Sequence, residues 1–243
     1  MGTLRSREMS NEEIRKLAVG DFTAELSEGG MGLILEAFDA FWKYPEGRPK
    51  PNKPHVELTS GRCSNGFVNL RGMLSHTNMC EFLAQQLAMG VKKKFDGPID
   101  WVVGSSTAAT DLSHDVARFF GARHYPMWKQ ADGSQVLKGV EIPPDSCILH
   151  VEELITTSKS ALAVRKSIRE VCPSAKFVPI VPTILYRPSP GETFGIEGSS
   201  IWPLMRWTID TWEPGKCPLC AAGSKKLRPN IAENWSTLVD SMD

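Results

Sequence analysis

The stretch Cys147-Ile148-Leu149-His150-Val151-Glu152-Glu153-Leu154-Ile155-Thr156-Thr157-Ser158-Lys159-Ser160 decides how this chain is read. Cys147 to Val151 is a short apolar run of the length of a buried strand. It delivers two adjacent carboxylates, then a hydroxyl-rich turn with one lysine, then a helix from Ser160 to Val171. In an open parallel sheet, ligands bind outside the carboxyl ends of the strands. Carboxylates there accept hydrogen bonds from sugar hydroxyls, while hydroxyls, backbone N–H groups and the helix dipole receive a phosphate. Glu152, Glu153, Thr156, Thr157, Ser158, Lys159 and Ser160 therefore read as a sugar-phosphate site. The competing reading is a solvated glutamate pair followed by a helix cap, but two carboxylates at a strand end contribute little to packing.

The surroundings repeat this rhythm. Trp101-Val102-Val103 is a second short apolar strand, and Gly104-Ser105-Ser106-Thr107-Ala108-Ala109 follows it as a small-residue, hydroxyl-rich loop suited to an anion. A helix over Asp111 to Phe120 comes next, and Phe177 to Val181 is a third strand. Apolar strands separated by helices imply a parallel sheet covered on both faces, an α/β fold. The pattern weakens after Pro182. Upstream, Ser10-Asn11-Glu12-Glu13 has capping-box spacing and opens a helix near Ile14. Met31 to Trp42 reads as a helix, and the Tyr44-to-Pro54 stretch as an extended connector. Val56 to Gly61 and Phe67 to Leu70 read as two short strands joined around Gly61 to Gly66, and Met79 to Val91 as a helix closed by three lysines.

With 243 residues, the chain suits one domain with embellishments. Lys plus Arg and Asp plus Glu are equal at 28 each, so bulk charge does not point to nucleic acid or an anionic membrane. Met1 to Gly20 has no apolar run of signal-peptide length, and no stretch is long and apolar enough to span a bilayer. Cys63, Cys80, Cys147, Cys172, Cys217 and Cys220 read as free thiols in a reducing cytoplasm.

The segment Ile148 to Ser160 resembles the phosphoribosyl-pyrophosphate signature of the type I phosphoribosyltransferases, above all the orotate phosphoribosyltransferases. Leu58-Thr59-Ser60-Gly61-Arg62-Cys63-Ser64-Asn65-Gly66-Phe67-Val68-Asn69 is similar to a further stretch of that family, and Asp100 to Thr107 to its pyrophosphate-binding strand and loop. Val136-Leu137-Lys138-Gly139 resembles the end of its mobile loop. The resemblance implies an open parallel sheet flanked by helices, with a small hood subdomain and an N-terminal helical extension. The divisions it suggests are an extension and connector over 1–54, a hood segment over 55–75, a core over 76–200 and a Trp-rich appendage over 201–243.

It also implies chemistry: transfer of the 5-phosphoribosyl group from phosphoribosyl pyrophosphate to a base, most similar to orotate, giving orotidine monophosphate and pyrophosphate. Glu152 and Glu153 would hold the ribose hydroxyls, and Thr156 to Ser160 the 5′-phosphate. Ser105, Ser106 and Thr107 would meet the pyrophosphate with its Mg²⁺, and Ser60, Gly61, Arg62 and Phe67 would lie near the base or its flanking phosphates. A homodimer follows from the same resemblance. Four features depart from the family's pattern. Glu153 replaces an aspartate, Ser158-Lys159 replaces a glycine pair, Thr59 stands where orotate enzymes often carry a lysine near the substrate, and the 128–138 loop keeps only Lys129 and Lys138 as cations to reach pyrophosphate. A different base, or a non-catalytic regulatory protein that binds ribose phosphate, therefore stands as the alternative.

Cys217-Pro218-Leu219-Cys220 has the spacing of a zinc knuckle, and its surroundings resemble the tail of some orotate-type relatives. Zinc needs four ligands, and no second such pair exists in the sequence, so a second subunit is the simplest source of the rest. The alternative is a proline turn with two free thiols. His114 and His124 read as packing or surface residues, and Trp202, Trp207, Trp212 and Trp235 as anchors of the tail on the core or a partner.

Overall fold

The computed structural model describes residues 9–242, so the sequence reading of residues 1–8 and of Asp243 lies outside the described residues. A capping box opens α1 (Asn11–Arg15), with the Ser10 backbone N–H donating to Glu13 Oε2 at 2.7 Å. Ser27 caps α2 (Glu28–Ala37). This helix stops well short of the expected Trp42. Asp39 turns the chain at φ 48°, and Phe41 and Trp42 enter β1 (Phe41–Lys43). Trp42 is fully buried there, opposite Phe67. The apolar run that suggests a longer helix is apolar because two of its aromatics pack across the chain.

The next strands are β2 (His55–Glu57), β3 (Cys63–Ser64) and β4 (Gly66–Val68). β2 pairs antiparallel with β3, whereas β4 pairs with β1. The two strands expected at Val56–Gly61 and Phe67–Leu70, joined by one turn, thus lie in two separate ladders, and Leu70 begins a helix. Ser64 makes the switch: its hydroxyl lies 2.8 Å from the Gly66 carbonyl and 3.0 Å from that of Asp210, so the chain changes sheet at Asn65.

After α3 (Leu70–Leu74) and α4 (Thr77–Lys94), the core elements follow in order: β5 (Trp101–Gly104), α5 (Ala109–Phe120), β6 (Arg123–His124), β7 (Trp128–Lys129), β8 (Gln135–Val136), β9 (Cys147–Ile155), α6 (Lys159–Val171), β10 (Lys176–Phe177), β11 (Ile180–Tyr186) and β12 (Ser200–Arg206). The central sheet runs β12-β11-β9-β5-β6, with β10 also on β9, and all its pairs are parallel. Alternate residues of β5 and β9 bury on opposite faces. Val102, Leu149 and Val151 pack with Leu83 and Leu87 of α4 and Leu112 and Val116 of α5, while Trp101, Val103 and Ile148 pack with Val164 and Ile168 of α6. Both faces are apolar, as a parallel sheet covered by helices requires.

The third strand is not Phe177 to Val181 but Ile180–Tyr186, which runs through Pro182, and β12 lies beyond it. Proline inside an apolar run reads as a stop, but burial of the whole of β11 outweighs the ladder donor it lacks. The boundary expected at 200/201 falls within β12. Trp202 of this strand lies on α4 at Gly90, where a Cβ would overlap the indole.

The remaining elements are β13 (Thr211–Trp212), α7 (Pro218–Ala221), β14 (Lys226–Leu227) and α8 (Ala232–Asp240). They join the 55–64 segment in a second sheet of order β13-β3-β2-β14, referred to below as the hood. Trp42, Tyr44, Val56, Leu219, Leu227 and Leu238 form its apolar core. Trp235 of α8 meets Phe67 edge-on at 5.8 Å. Among the described residues, no helix is long and apolar enough to cross a membrane.

Candidate active site

β9 carries the site because its last residues pass the edge of the apolar core while still paired. Thr183 of β11 stands opposite Glu152, and Gly104 of β5 opposite Val151. Strand alternation sends the two carboxylates to opposite faces. Glu152 lies on the His150 side and is only 2% exposed. Its carboxylate accepts from Ser105 Oγ at 2.5 Å and from His150 Nε2 at 2.7 Å. Since a carboxylate only accepts, the His150 proton is on Nε2. Ser105 begins the loop after β5, so this contact ties the two candidate anion loops together.

Glu153 faces the other way, into a cleft of about 650 Å³ between the core and the hood. Thr59, Phe67, Asn69, Arg71 and Trp235 also line this cleft. Burial, and then the neighbouring Glu152 carboxylate, push the Glu153 carboxyl up to about 7. Its Oε2 is buried with no hydrogen-bond partner among the described residues. An unpartnered buried carboxylate oxygen in a cleft is a ready acceptor for ligand hydroxyls.

Thr156 to Ser160 wrap a small cradle of about 60 Å³ between the end of β9 and the first turn of α6. Ser158 sits at the start of that helix with φ 59° and ψ 4°, the left-handed conformation that glycine adopts freely. Its side chain makes no capping bond, and Ser158 Oγ is buried and unpartnered among the described residues. Thr157, Lys159 and Ser160 are exposed at the rim. The Ser105-Ser106-Thr107 loop is held by close packing beneath it. A Cβ on Gly104 would come within 2.7 Å of the Ala109 carbonyl, so only glycine lets α5 start this close to β5.

The 128–138 segment folds into a hairpin of β7 and β8. Lys129 and Lys138 are exposed on it. Gln135 Oε1 accepts the Ser106 N–H at 3.1 Å, which fixes the hairpin's base to the Ser105–Thr107 loop. Of the hood residues expected near the base, Phe67 lines the cleft but Arg62 turns away, toward the Thr211 carbonyl at 3.2 Å and Glu213 at 3.3 Å. Ser60 is exposed at the tip of the 58–62 turn, next to Gly61 at φ 81°. His150, Gln135, Arg71 and the 229–236 stretch are the parts that sequence reasoning missed. The period-2 position of His150 relative to Glu152 could have signalled its contact, but nothing local signals the others. His114 and His124 meet edge-on at 5.5 Å outside the site, and burial followed by His114 lowers His124 to about 4.

Cys217 and Cys220 are not left waiting for ligands from a second subunit. His55 and Cys63 of the same chain lie beside them. The sequence search for a second CxxC pair misses this because the partners are a histidine and a cysteine on two strands of a hairpin.

No protein-family profile matches the chain. Its sequence is 30% identical over 179 residues to the orotate phosphoribosyltransferase of Caldanaerobacter subterraneus, covering 73% of this chain and 89% of that protein. It is 27% identical over 175 residues to the orotate phosphoribosyltransferase of Acidithiobacillus ferrooxidans, covering 72% and 87%. Among solved structures, the fold is similar to orotate phosphoribosyltransferase from Aeropyrum pernix at a TM-score of 0.51 and 14% identity, over 72% of this chain and 93% of that one. It is also similar to the Leishmania donovani UMP synthase at 0.52 and 13%, over 76% of this chain and 36% of that larger one. The two structural likenesses bear on the fold alone; the sequence identity to the Caldanaerobacter protein carries the further step, and by it this chain belongs to the orotate phosphoribosyltransferase family.

Proposed function

We propose that this protein transfers the 5-phosphoribosyl group from phosphoribosyl pyrophosphate to orotate, releasing pyrophosphate. One observation carries the reading: in a chain of this family, β9 ends in an acidic pair set between a phosphate cradle and the Ser105 loop, with a cleft on the Glu153 side. The cradle takes the 5′-phosphate through the N–H groups at the start of α6, the unpartnered Ser158 hydroxyl and Lys159. Glu153 takes ribose hydroxyls from the cleft. Glu152 acts from behind, holding Ser105 and hence the pyrophosphate loop at a fixed distance from the ribose.

The base enters the cleft between Phe67 and Asn69 on one side and the 229–236 stretch on the other, where Arg71 offers a cation to a carboxylated base. Bond breaking at the anomeric carbon develops positive charge on the sugar and negative charge on pyrophosphate, so catalysis rests on positioning, charge stabilisation and exclusion of water. Mg²⁺ fits the hard-oxygen set of Ser105, Ser106, Thr107 and Glu152, since it binds largely through phosphates and its own waters. Bound there, it would neutralise charge on the departing pyrophosphate. Lys129 and Lys138 complete that role from the hairpin. The unpaired cysteines support a reducing, cytoplasmic setting. Trp128, 53% exposed on the same hairpin, supports a homodimer in which the hairpin meets a second copy.

The test is pyrophosphate release with phosphoribosyl pyrophosphate, Mg²⁺ and a panel of orotate, uracil, adenine and hypoxanthine. Release is expected with orotate. Release with another base alone would reassign the substrate. Calorimetric binding of phosphoribosyl pyrophosphate without release for any base would favour a regulatory binder, the reading that Ser158 and the lysine-poor hairpin support. Lys129→Ala is expected to lower kcat by about tenfold or more while leaving substrate affinity nearly unchanged, as for a group acting on the leaving group.

A further inference from the structure

Four donors from three separate segments converge inside the hood. His55 comes from β2, Cys63 from β3, and Cys217 and Cys220 from the first turn of α7, with their ligand atoms all within 4.8 Å of one another. Cys63 Sγ and Cys220 Sγ are 3.5 Å apart, Cys220 Sγ and His55 Nε2 3.4 Å, and Cys217 Sγ and His55 Nε2 3.7 Å. A tetrahedral zinc ion with bonds of about 2.3 Å to sulfur and about 2.0 Å to nitrogen sets edges of roughly 3.8 Å between sulfurs and 3.5 Å between sulfur and nitrogen. These three edges are close to those of such a tetrahedron, and the remaining ones lie within 4.8 Å. The three cysteines are free, and His55, Cys63 and Cys217 are almost wholly buried.

The surroundings orient the donors. Ser224 Oγ donates to the Lys53 carbonyl at 2.6 Å and lies 2.8 Å from His55 Nδ1. With the serine proton committed to Lys53, Nδ1 must carry the imidazole proton and donate to Ser224. The lone pair of Nε2 is then left facing the three sulfurs. This is the arrangement of a metal-ligating histidine whose tautomer is fixed by its other nitrogen. The Cys220 backbone N–H points at Cys217 Sγ at 3.4 Å, a donor suited to a thiolate. The chemical setting also calls for a staple: the hood strands have only two or three residues each, and its apolar core is small.

We propose that His55, Cys63, Cys217 and Cys220 bind one structural zinc ion that joins the β2–β3 hairpin to the C-terminal segment. Soft sulfur ligands with one imidazole in a tetrahedron select zinc, and a set of four protein ligands with no open position marks a structural rather than a catalytic ion. The ion fixes both ends of the 58–62 turn, since His55 precedes it and Cys63 follows it. The site is distinct from the ribose-phosphate machinery, and its test is independent of any transferase activity.

The full chain, purified without chelator, is expected to contain about one zinc per chain by plasma mass spectrometry, and His55→Ala and Cys217→Ser less than about a tenth of that. His55→Cys should restore about one equivalent, because four thiolates also make a tetrahedral site, and Cys147→Ser, outside the cluster, should keep it. Wild type stripped by chelation and reloaded with Co²⁺ should show thiolate-to-metal absorption and the visible bands of tetrahedral cobalt. Its melting temperature should fall on chelation and recover with Zn²⁺ but not Mg²⁺. If His55→Ala and Cys217→Ser fail to fold, the cobalt spectrum of wild type and the zinc content of His55→Cys still decide the matter. Wild type without zinc and without cobalt uptake would overturn the proposal. Full zinc retained in folded Cys217→Ser, iron in place of zinc, or a Cys63–Cys220 disulfide in the purified chain would do so equally.

Discussion

The central sheet and the hood sheet are both built from paired strands, yet they are held together by different means. β5, β9 and β11 follow one another within residues 101–186, and each buries apolar side chains against the helices that separate them. The hood brings β2 and β3, at 55–64, together with β13 and β14, at 211–227. Its strands are too short to bury much area, and closing a loop of this length costs conformational entropy before any contact is made. The two sheets therefore place their polar residues differently. The core expels them to the end of β9, beside the cleft and the Thr156–Ser160 turn. The hood keeps a histidine and three cysteines at its centre, where they hold the sheet.

The largest effect that would separate the two regions is removal of a hood anchor. Trp42 is fully buried among Tyr44 and the other hood residues, and Trp42→Ala should cost about 3–5 kcal/mol by urea denaturation. Hydrogen exchange should show the loss concentrated in 55–64 and 211–227, with 147–155 still protected. Leu149→Ala, at about 2–5 kcal/mol, should expose both. Equal loss of protection everywhere in Trp42→Ala would mean that core and hood unfold as one unit.

Glu153 stands at the seam. Its carboxyl titrates near 7 in the folded protein and near the ordinary 4.5 when unfolded. Between about 4.5 and 7 the unfolded chain gives up a proton that the folded chain retains, so stability should fall as pH rises through that window. Glu153→Gln should flatten the slope, as measured by melting temperature against pH; an unchanged slope would place the carboxyl in solvent and weaken its assignment to the cleft.

The smallest effect concerns Ser158. Replacing it with glycine relieves roughly 1 kcal/mol of left-handed strain but adds roughly 0.5–1 kcal/mol of unfolded-state entropy, so stability should change by less than about 0.5 kcal/mol. Calorimetry on Ser158→Gly then isolates the hydroxyl. Weaker binding of ribose 5-phosphate is expected, and unchanged affinity would show that the backbone alone makes the cradle.

The core and the two hydroxyl-rich loops at its strand ends were legible because the information is local. An apolar run of strand length, an acidic pair and a hydroxyl-rich turn at a helix start lie within fourteen consecutive residues, Cys147 to Ser160. Errors fell where a local signal competed with a distant partner. Phe41 and Trp42 extended a helical pattern but pair with β4, and Pro182 suggested an end to a strand that burial carries on to Tyr186. In the site, the opposite directions of Glu152 and Glu153 follow from strand alternation and could have been read. The attachment of Gln135 to Ser106 and the cover supplied by Trp235 could not, because neither is written in any neighbouring residue.

By itself the sequence determined the parallel α/β class and the place of the acidic pair and hydroxyl-rich turn at the end of β9. Each of these follows from backbone periodicity and side-chain type over a few residues. Only the tertiary structure decided which carboxylate faces the cleft side, which strands make the hood, and that His55 and Cys63 stand beside Cys217 and Cys220. Those are meetings between segments up to about 170 residues apart, and they are fixed by burial and pairing, which local pattern does not encode.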